Sequence, residues 1–330
     1  MAGLQVDIRV PVGRPIPELV DFIRRVEAAG LNGVGIHDHH HSGRDAYIVL
    51  GLAAARTARL SLYPATSNPL TRHPLVLAAL ANSLAEVAPG RTMLTLGPGF
   101  LSVEAAGLGR ARRETLRTAV RQIRALLAGE AVTFGEAPTR LRYPAGVRVP
   151  VLLLASGPKL IELAGEVADG VMMLVGLHPA SVAAARAHLA AGARRAGRDP
   201  AELLEVLIVP FALGSREEVR RWPRGWFRPG QPWLAYPSRS NLHWLRLAGV
   251  DLPDDFDPGR LSDAGADRVC EALGLFGPPE YCAERLIRAR QELGVRRVFL
   301  FPAHGAADAY DLPEAEVAAF ERVIGPRLGL

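Results

Sequence analysis

Short apolar runs rich in β-branched residues alternate with longer amphipathic stretches along this whole chain. Strands separated by helices of that length pair in parallel, because each crossover must return to the starting edge of the sheet. The alternation predicts strands at Gln5–Val10, Val34–His37, Leu60–Ala65, Thr92–Leu96, Val151–Leu154, Gly170–Leu174, Glu205–Phe211 and Arg297–Phe301. It predicts helices at Glu18–Ala29, Asp45–Ala58, Leu75–Val87, Arg112–Ala128, Leu160–Val167, Pro179–Ala196, Pro278–Leu293 and Pro313–Ile324. Eight such strands close a TIM-type (β/α)₈ barrel, wound one way by right-handed crossovers.

The chain has 330 residues, more than the roughly 250 of a minimal barrel. It is read as one barrel domain over 1–330 with insertion segments. Phe134–Val149 is rich in Pro and Gly and is expected to hold a short hairpin. The excursion at about 222–264 carries all four tryptophans (Trp222, Trp226, Trp233, Trp244) with Phe227 and Tyr236. Aromatic-rich excursions form lids, pockets or subunit contacts. They also pack as small cores of their own, and both readings stay open.

Nearly half the residues are hydrophobic (49%), enough for a large core without disulfide staples. Cys270 and Cys282 form no CxxC pair, so a thiolate metal site or disulfide framework is not expected. A reducing, cytoplasmic setting follows as an expectation, with no basic-then-apolar leader in Met1–Asp7. No apolar run reaches the roughly 18–20 residues of a membrane span. The net charge of +5 is carried almost wholly by arginine, Lys159 being the sole lysine. The arginines are scattered and lack interleaved aromatics, so nucleic acid is not an expected partner. Attraction for an anionic cofactor uses the charge better.

Barrel enzymes place their chemistry at the C-terminal strand ends. After the second predicted strand comes His37-Asp38-His39-His40-His41. His37 and His39 are read as splayed to different faces, so a shared metal ion is not expected. Asp38 and His39 are expected at the mouth as hydrogen-bonding or acid–base groups, with polar loop residues as the plainer reading. After the third strand, Ala65-Thr66-Ser67-Asn68-Pro69 runs into Thr71-Arg72-His73-Pro74. Small residues there let a flat ring approach the backbone, and Arg72 and His73 serve either ligand or loop. After the fourth come Gly97-Pro98-Gly99-Phe100 and then Glu104, with glycines permitting close approach. After the fifth, Ala155-Ser156-Gly157-Pro158-Lys159 opens a helix whose free N–H groups suit an anion such as phosphate.

These segments, in this order, resemble the luciferase-like monooxygenase superfamily. They look closest to its deazaflavin (F420) branch, including methylenetetrahydromethanopterin reductase-like proteins. Asp38-His39, Ser67-Asn68-Pro69, Gly97-Pro98-Gly99, Ser156-Gly157-Pro158 and Ala164–Gly170 carry the likeness, with Phe276–Glu280 and Val298–Pro302 near the end. The resemblance implies a bacterial luciferase-like (β/α)₈ barrel, usually a homodimer, that binds F420 in its mouth and transfers hydride to or from a small-molecule substrate. It implies a cis peptide at about Ala65–Thr66, ring contacts from Asp38 and Asn68, and a phosphate site at Ser156, Gly157 and Lys159 beside Val175 and Gly176. His39 would handle the proton, with Asp38 positioning it or the ring. The position after Gly97-Pro98-Gly99, often acidic in the family, is Phe100 here, and Glu104 is the candidate replacement. An FMN-dependent two-component monooxygenase and a non-catalytic cofactor-binding protein are the alternatives.

Overall fold

The computed structural model describes residues 3–226, 239–254, 256–303 and 310–330. Its strands in chain order are β1 (Gln5–Val10), β2 (Gly33–Ile36), β3 (Ser61–Pro64), β4 (Leu94–Leu96), β5 (Val132–Phe134), β6 (Ala137–Thr139), β7 (Val151–Ala155), β8 (Gly170–Met173), β9 (Leu204–Leu213), β10 (Leu275–Gly277) and β11 (Arg297–Pro302). The main sheet runs β3-β2-β1-β11-β9-β8-β7-β4, and its paired strands are parallel. Parallel bridges Leu62–Thr92 and Ser67–Leu96 bring β3 against β4 and draw the two ends together. The strands on this path are the eight that the alternation predicts, wrapped as a barrel.

Two details of the strands depart from the reading of the chain. The antiparallel hairpin β5–β6 begins at Val132, just ahead of the stretch expected to contain it. The unexpected β10 pairs Leu275–Gly277 with Phe211–Leu213 of β9. Three residues are too few to display a period of two, which hid it.

The principal helices are α1 (Ile16–Ala28), α2 (Ala46–Arg56), α3 (Pro74–Val87), α4 (Leu101–Ala105), α5 (Arg113–Leu127), α6 (Pro158–Val167), α7 (Pro179–Arg195), α8 (Arg216–Val219), α9 (Arg221–Trp226), α10 (Arg239–Leu247), α11 (Asp263–Leu273), α12 (Pro279–Leu293) and α13 (Glu314–Ala319). Local chemistry sets their starts. Asp45 accepts from the backbone N–H groups of Tyr47 and Ile48 at the head of α2, and His73 accepts from Leu75 N–H at the head of α3. Proline stands in the first turn of α1, α3, α6, α7 and α12, where no N–H is needed.

Side chains alternate across each strand. Val6, Ile8, Val151, Leu153, Val171, Leu207, Val209, Val298 and Leu300 face the helices in the outer core. Tyr63, Met93, Leu152, Met172, Val206, Ile208 and Phe299 pack together inside the barrel. Gly35 makes room for this filling: a Cβ there would lie 2.7 Å from the Phe299 ring. Lower in the barrel, fully buried Asp7 accepts hydrogen bonds from Tyr63 Oη (2.6 Å) and Arg297 Nε (2.7 Å).

The described parts of the excursion form a second small core. Trp222, Leu242, Leu245, Val250 and Leu261 pack there against Val269, Leu273 and Phe276. Phe227, Trp233 and Tyr236 lie outside the described residues.

Candidate active site

Seven of the barrel strands send residues from their C-terminal ends into one cavity of about 280 Å³. Met172, Ile208 and Phe299 form its floor and continue into the barrel filling below. Leu154, Leu174, Pro210 and Phe301 line it higher up, and Ala65, Thr66, Pro98, Gly99 and Ser156 add loop backbone. Phe100, Leu101, Ser102 and Arg110 contribute from the loop after β4, and Asn241 from α10 of the excursion. The Ala65–Thr66 peptide is cis, at the position the resemblance implies. An apolar slot edged by exposed backbone suits a planar ring.

His39 lines the cavity and is largely buried. Its Nδ1 lies 2.9 Å from Tyr310 Oη, which lies 2.8 Å from Nε2 of exposed His41. Burial pushes the His39 pKa down to about 4, and the nearby His41 and Arg9 add to the effect. The imidazole is therefore neutral at physiological pH. His37 is held well below the ordinary range by burial, then by Arg9 and His39.

His37 and His39 do not diverge as expected. Their ring centroids are 4.6 Å apart and both line the cavity. Residues two apart in extended backbone share a face, so the splayed reading is corrected. Among the described residues no group of three or more His, Cys, Asp or Glu is arranged to hold a metal ion.

Asp38 is buried and turned toward the adjoining loop. Arg72 grips it with Nε and Nη2, both at 2.9 Å, and Ser67 Oγ donates to it at 2.7 Å. Arg72 Nη2 also donates to Asp45 at 2.6 Å, and the guanidinium lies 5.0 Å from the centre of the Tyr47 ring. Burial opposes the charge on Arg72, but its bonds to Asp38 and Asp45 outweigh that and raise its pKa. Ser67 is buried under this network, with Tyr47 Oη 3.0 Å from its hydroxyl. Asn68 Oδ1 accepts from the N–H groups of Leu70 and Thr71, and its Nδ2 donates to Ser102 Oγ. These side chains hold the loops after β2, β3 and β4 in one arrangement. Sequence reasoning named Asp38, Ser67, Asn68 and Arg72 singly, but it passed over Tyr47 and Ser102, and the pairing is visible only in the fold.

The turn after β7 is anchored from the excursion. Trp244 Nε1 donates to the Ser156 carbonyl at 2.6 Å, and Ser181 Oγ donates to the Trp244 carbonyl at 3.0 Å. Gly157 opens α6 with no side-chain cap, which leaves the first turn available to an anion. Ser156 lines the cavity, Ala155 is buried behind it and Lys159 is exposed. Val175 is buried in the outer core, and Gly176 packs against the backbone of Ala272. Gly97 donates its N–H to Ser67 O at 2.9 Å; a Cβ there would lie 2.8 Å from Thr66 Oγ1.

Glu104 does not line the cavity. It pairs with Arg110 at 3.2 Å, and the Arg110 guanidinium sits 4.1 Å from the centre of the Phe100 ring. Arg110 is a lining residue that the sequence reading missed, as are Asn241, Met172, Leu174, Ile208, Pro210, Phe299 and Phe301. Parity along the strands identifies most of these, because residues spaced two apart toward a C-terminal end share the inward face. Tyr310 has no such signal in its local sequence.

The model of the luciferase-like monooxygenase family matches residues 3–297. The chain is 37% identical over 303 residues to a 5,10-methylenetetrahydromethanopterin reductase from Methanolobus tindarius, covering 86% of this chain and 90% of that one. It is 33% identical over 311 residues to an F420-dependent glucose-6-phosphate dehydrogenase from Nakamurella multipartita, with 87% of each covered. Among solved structures, the coenzyme F420-dependent tetrahydromethanopterin reductase from Methanopyrus kandleri superposes with a TM-score of 0.72 at 19% identity, covering 99% of this chain and 100% of that one. That likeness speaks to fold alone.

Proposed function

The chain belongs to the luciferase-like monooxygenase family, and from that premise we infer that it is an F420-dependent oxidoreductase. It moves a hydride between the deazaflavin and a small organic substrate. One observation carries this reading: a chain alike along more than four-fifths of its length to proteins named for F420-dependent reduction and dehydrogenation folds with a ring-sized apolar slot at the barrel mouth. The residues present fit such a cofactor. Loop backbone at Ala65, Thr66 and Gly99 and the apolar side chains Leu174, Phe299 and Phe301 suit the ring. The uncapped start of α6 beside Ser156 suits its phosphate.

When bound, the cofactor supplies the hydride chemistry. The protein orients the substrate, excludes water and handles the proton. Neutral His39 accepts a proton from a substrate hydroxyl during oxidation, or returns one to a developing alkoxide or amine during reduction. Asp38, through Arg72 and Ser67, holds the loop that presents His39. Purified protein titrated with F420 and separately with FMN is expected to retain F420. It is also expected to bleach or restore the deazaflavin absorbance when offered glucose 6-phosphate, 2-propanol or a methylene-tetrahydropterin. Retention of FMN with oxygen consumption would instead establish the monooxygenase chemistry.

We also propose that two copies associate. α2 and α3 present Ile48, Leu52, Val76 and Val87 to solvent, each between 46% and 56% exposed. Both helices are apolar on their inner faces too, so these residues extend an apolar patch across neighbouring helices. A second copy covers such a patch by twofold self-complementarity. The double variant Ile48→Glu/Leu52→Glu is expected to halve the mass seen by light scattering. A parent protein already monomeric at micromolar concentration would end this reading. Two buried free thiols, Cys270 and Cys282, support a reducing, cytoplasmic setting.

A further inference from the structure

A base that takes a substrate proton at each turnover must pass it on before the next, yet His39 sits largely buried. Its Nδ1 is occupied by Tyr310 Oη at 2.9 Å, and that oxygen is in turn 2.8 Å from His41 Nε2. His41 is exposed. The rings are held for this contact. Tyr310 meets both imidazoles edge-on, at interplanar angles of 68° and 87°, and the imidazoles stack 5.5 Å apart. Backbone packing sets the position of Tyr310, since a Cβ on Gly13 would collide with the Tyr310 carbonyl oxygen. The oxygen of Tyr310 is therefore a bridge between a buried nitrogen and a solvent-facing one.

We propose that Tyr310 and His41 form a proton relay that connects His39 to bulk water. The chemistry rests on the oxidoreductase reading above; the relay geometry does not. In the direction of substrate oxidation, His39 carries its proton on Nδ1 and donates it to Tyr310 Oη, while Tyr310 donates its own to His41 Nε2. His39 Nε2 takes the substrate hydroxyl proton. The Nδ1 proton then passes to Tyr310 as the Tyr310 proton passes to His41, and His41 releases one proton to water. His39 ends neutral with its proton on Nε2; once product has left, Nε2 gives that proton to water in the open mouth while His41 takes one from water and the relay passes one inward to Nδ1, which restores the starting tautomers. In reduction the same steps run inward. No net charge remains inside, which matters because Arg9, His37, Asp38 and His40 also surround the His39 ring. Tyr310 and His41 are positioning residues, acting through His39.

The test begins with the cofactor-free protein, so that its outcome is independent of the F420 reading. Nitrogen-15 spectra of the histidine rings are expected to show neutral His39 protonated on Nδ1. Tyr310→Phe keeps the edge contacts and removes only the bridge, and is expected to abolish that preference. A wild-type His39 protonated on Nε2 overturns the proposal. With F420 and a substrate turned over, Tyr310→Phe and His41→Gln are each expected to lower kcat about tenfold or more in weak buffer, within the range of proton-transfer contributions. Concentrated imidazole buffer should restore His41→Gln, with KM and cofactor affinity unchanged. A merely structural role would not respond to buffer, so equal loss at all buffer concentrations, or no loss in either variant, also overturns it.

Discussion

Replacing His39 with alanine is expected to lower turnover by about 10²–10⁴-fold, the usual contribution of a positioned acid–base group. Cofactor affinity should change little, because the ring slot is built mostly from loop backbone and apolar side chains. The pH dependence of the parent protein carries the same assignment. Burial disfavours the imidazolium, so the His39 pKa lies near about 4, below the ordinary value of about 6.5. The base is thus competent throughout the neutral range and is lost only as pH falls toward 4. An acid limb of kcat/KM near 4 is the expected profile. A limb near 6.5 that vanishes in His39→Ala would mean the ring is solvated during turnover. Unchanged turnover in His39→Ala would remove His39 from the chemistry.

Arg72→Ala is expected to lose about 3–5 kcal/mol of stability, the penalty for breaking a buried ion pair by removing one partner. Asp38 is only 1% exposed, and the truncation strips two of its hydrogen bonds while leaving its charge in place. Asp45 loses its guanidinium partner in the same step. Arg72→Lys keeps the charge without the planar fork and should recover only part of the loss. Removing both charges, as in Asp38→Asn/Arg72→Met, should be less harmful than Arg72→Ala alone, because no buried charge is then left unpaired. Denaturant titration measures all of these. A loss under about 1 kcal/mol for Arg72→Ala would place the pair with ordinary surface bridges.

Which parts of this molecule could be read from its residues follows from how local the cause is. The barrel strands and the helices α1–α3, α5–α7, α12 and α13 announce themselves through spacing, since the period of a strand or helix is written within a few residues, whereas the short α4 and α8–α11 are not picked out. The loops at their C-terminal ends could be picked out as well, because glycine, proline and polar residues cluster where a strand must turn into a helix. The partnership of Asp38 with Arg72 spans 34 positions and depends on two adjacent loops meeting. That of His39 with Tyr310 spans 271 and depends on β11 closing beside β1. Neither leaves a periodic trace. The excursion hid its role for a different reason. Its tryptophans suggested a pocket or a separate core: Trp222 packs inside the small core, while Trp244 braces the Ser156 carbonyl and the cavity-lining residue is Asn241.

Closure of the sheet between its first and last main strands has a further meaning for the order in which the protein is made. A ribosome delivers His39, Ser67 and Ser156 long before Phe299, Phe301 and Tyr310. Until β11 emerges, the early loops lack the wall that Phe299 and Phe301 supply and β1 has an unpaired edge. Contacts of such sequence separation form slowly. The growing chain is consequently most vulnerable to mispairing just before it becomes able to work.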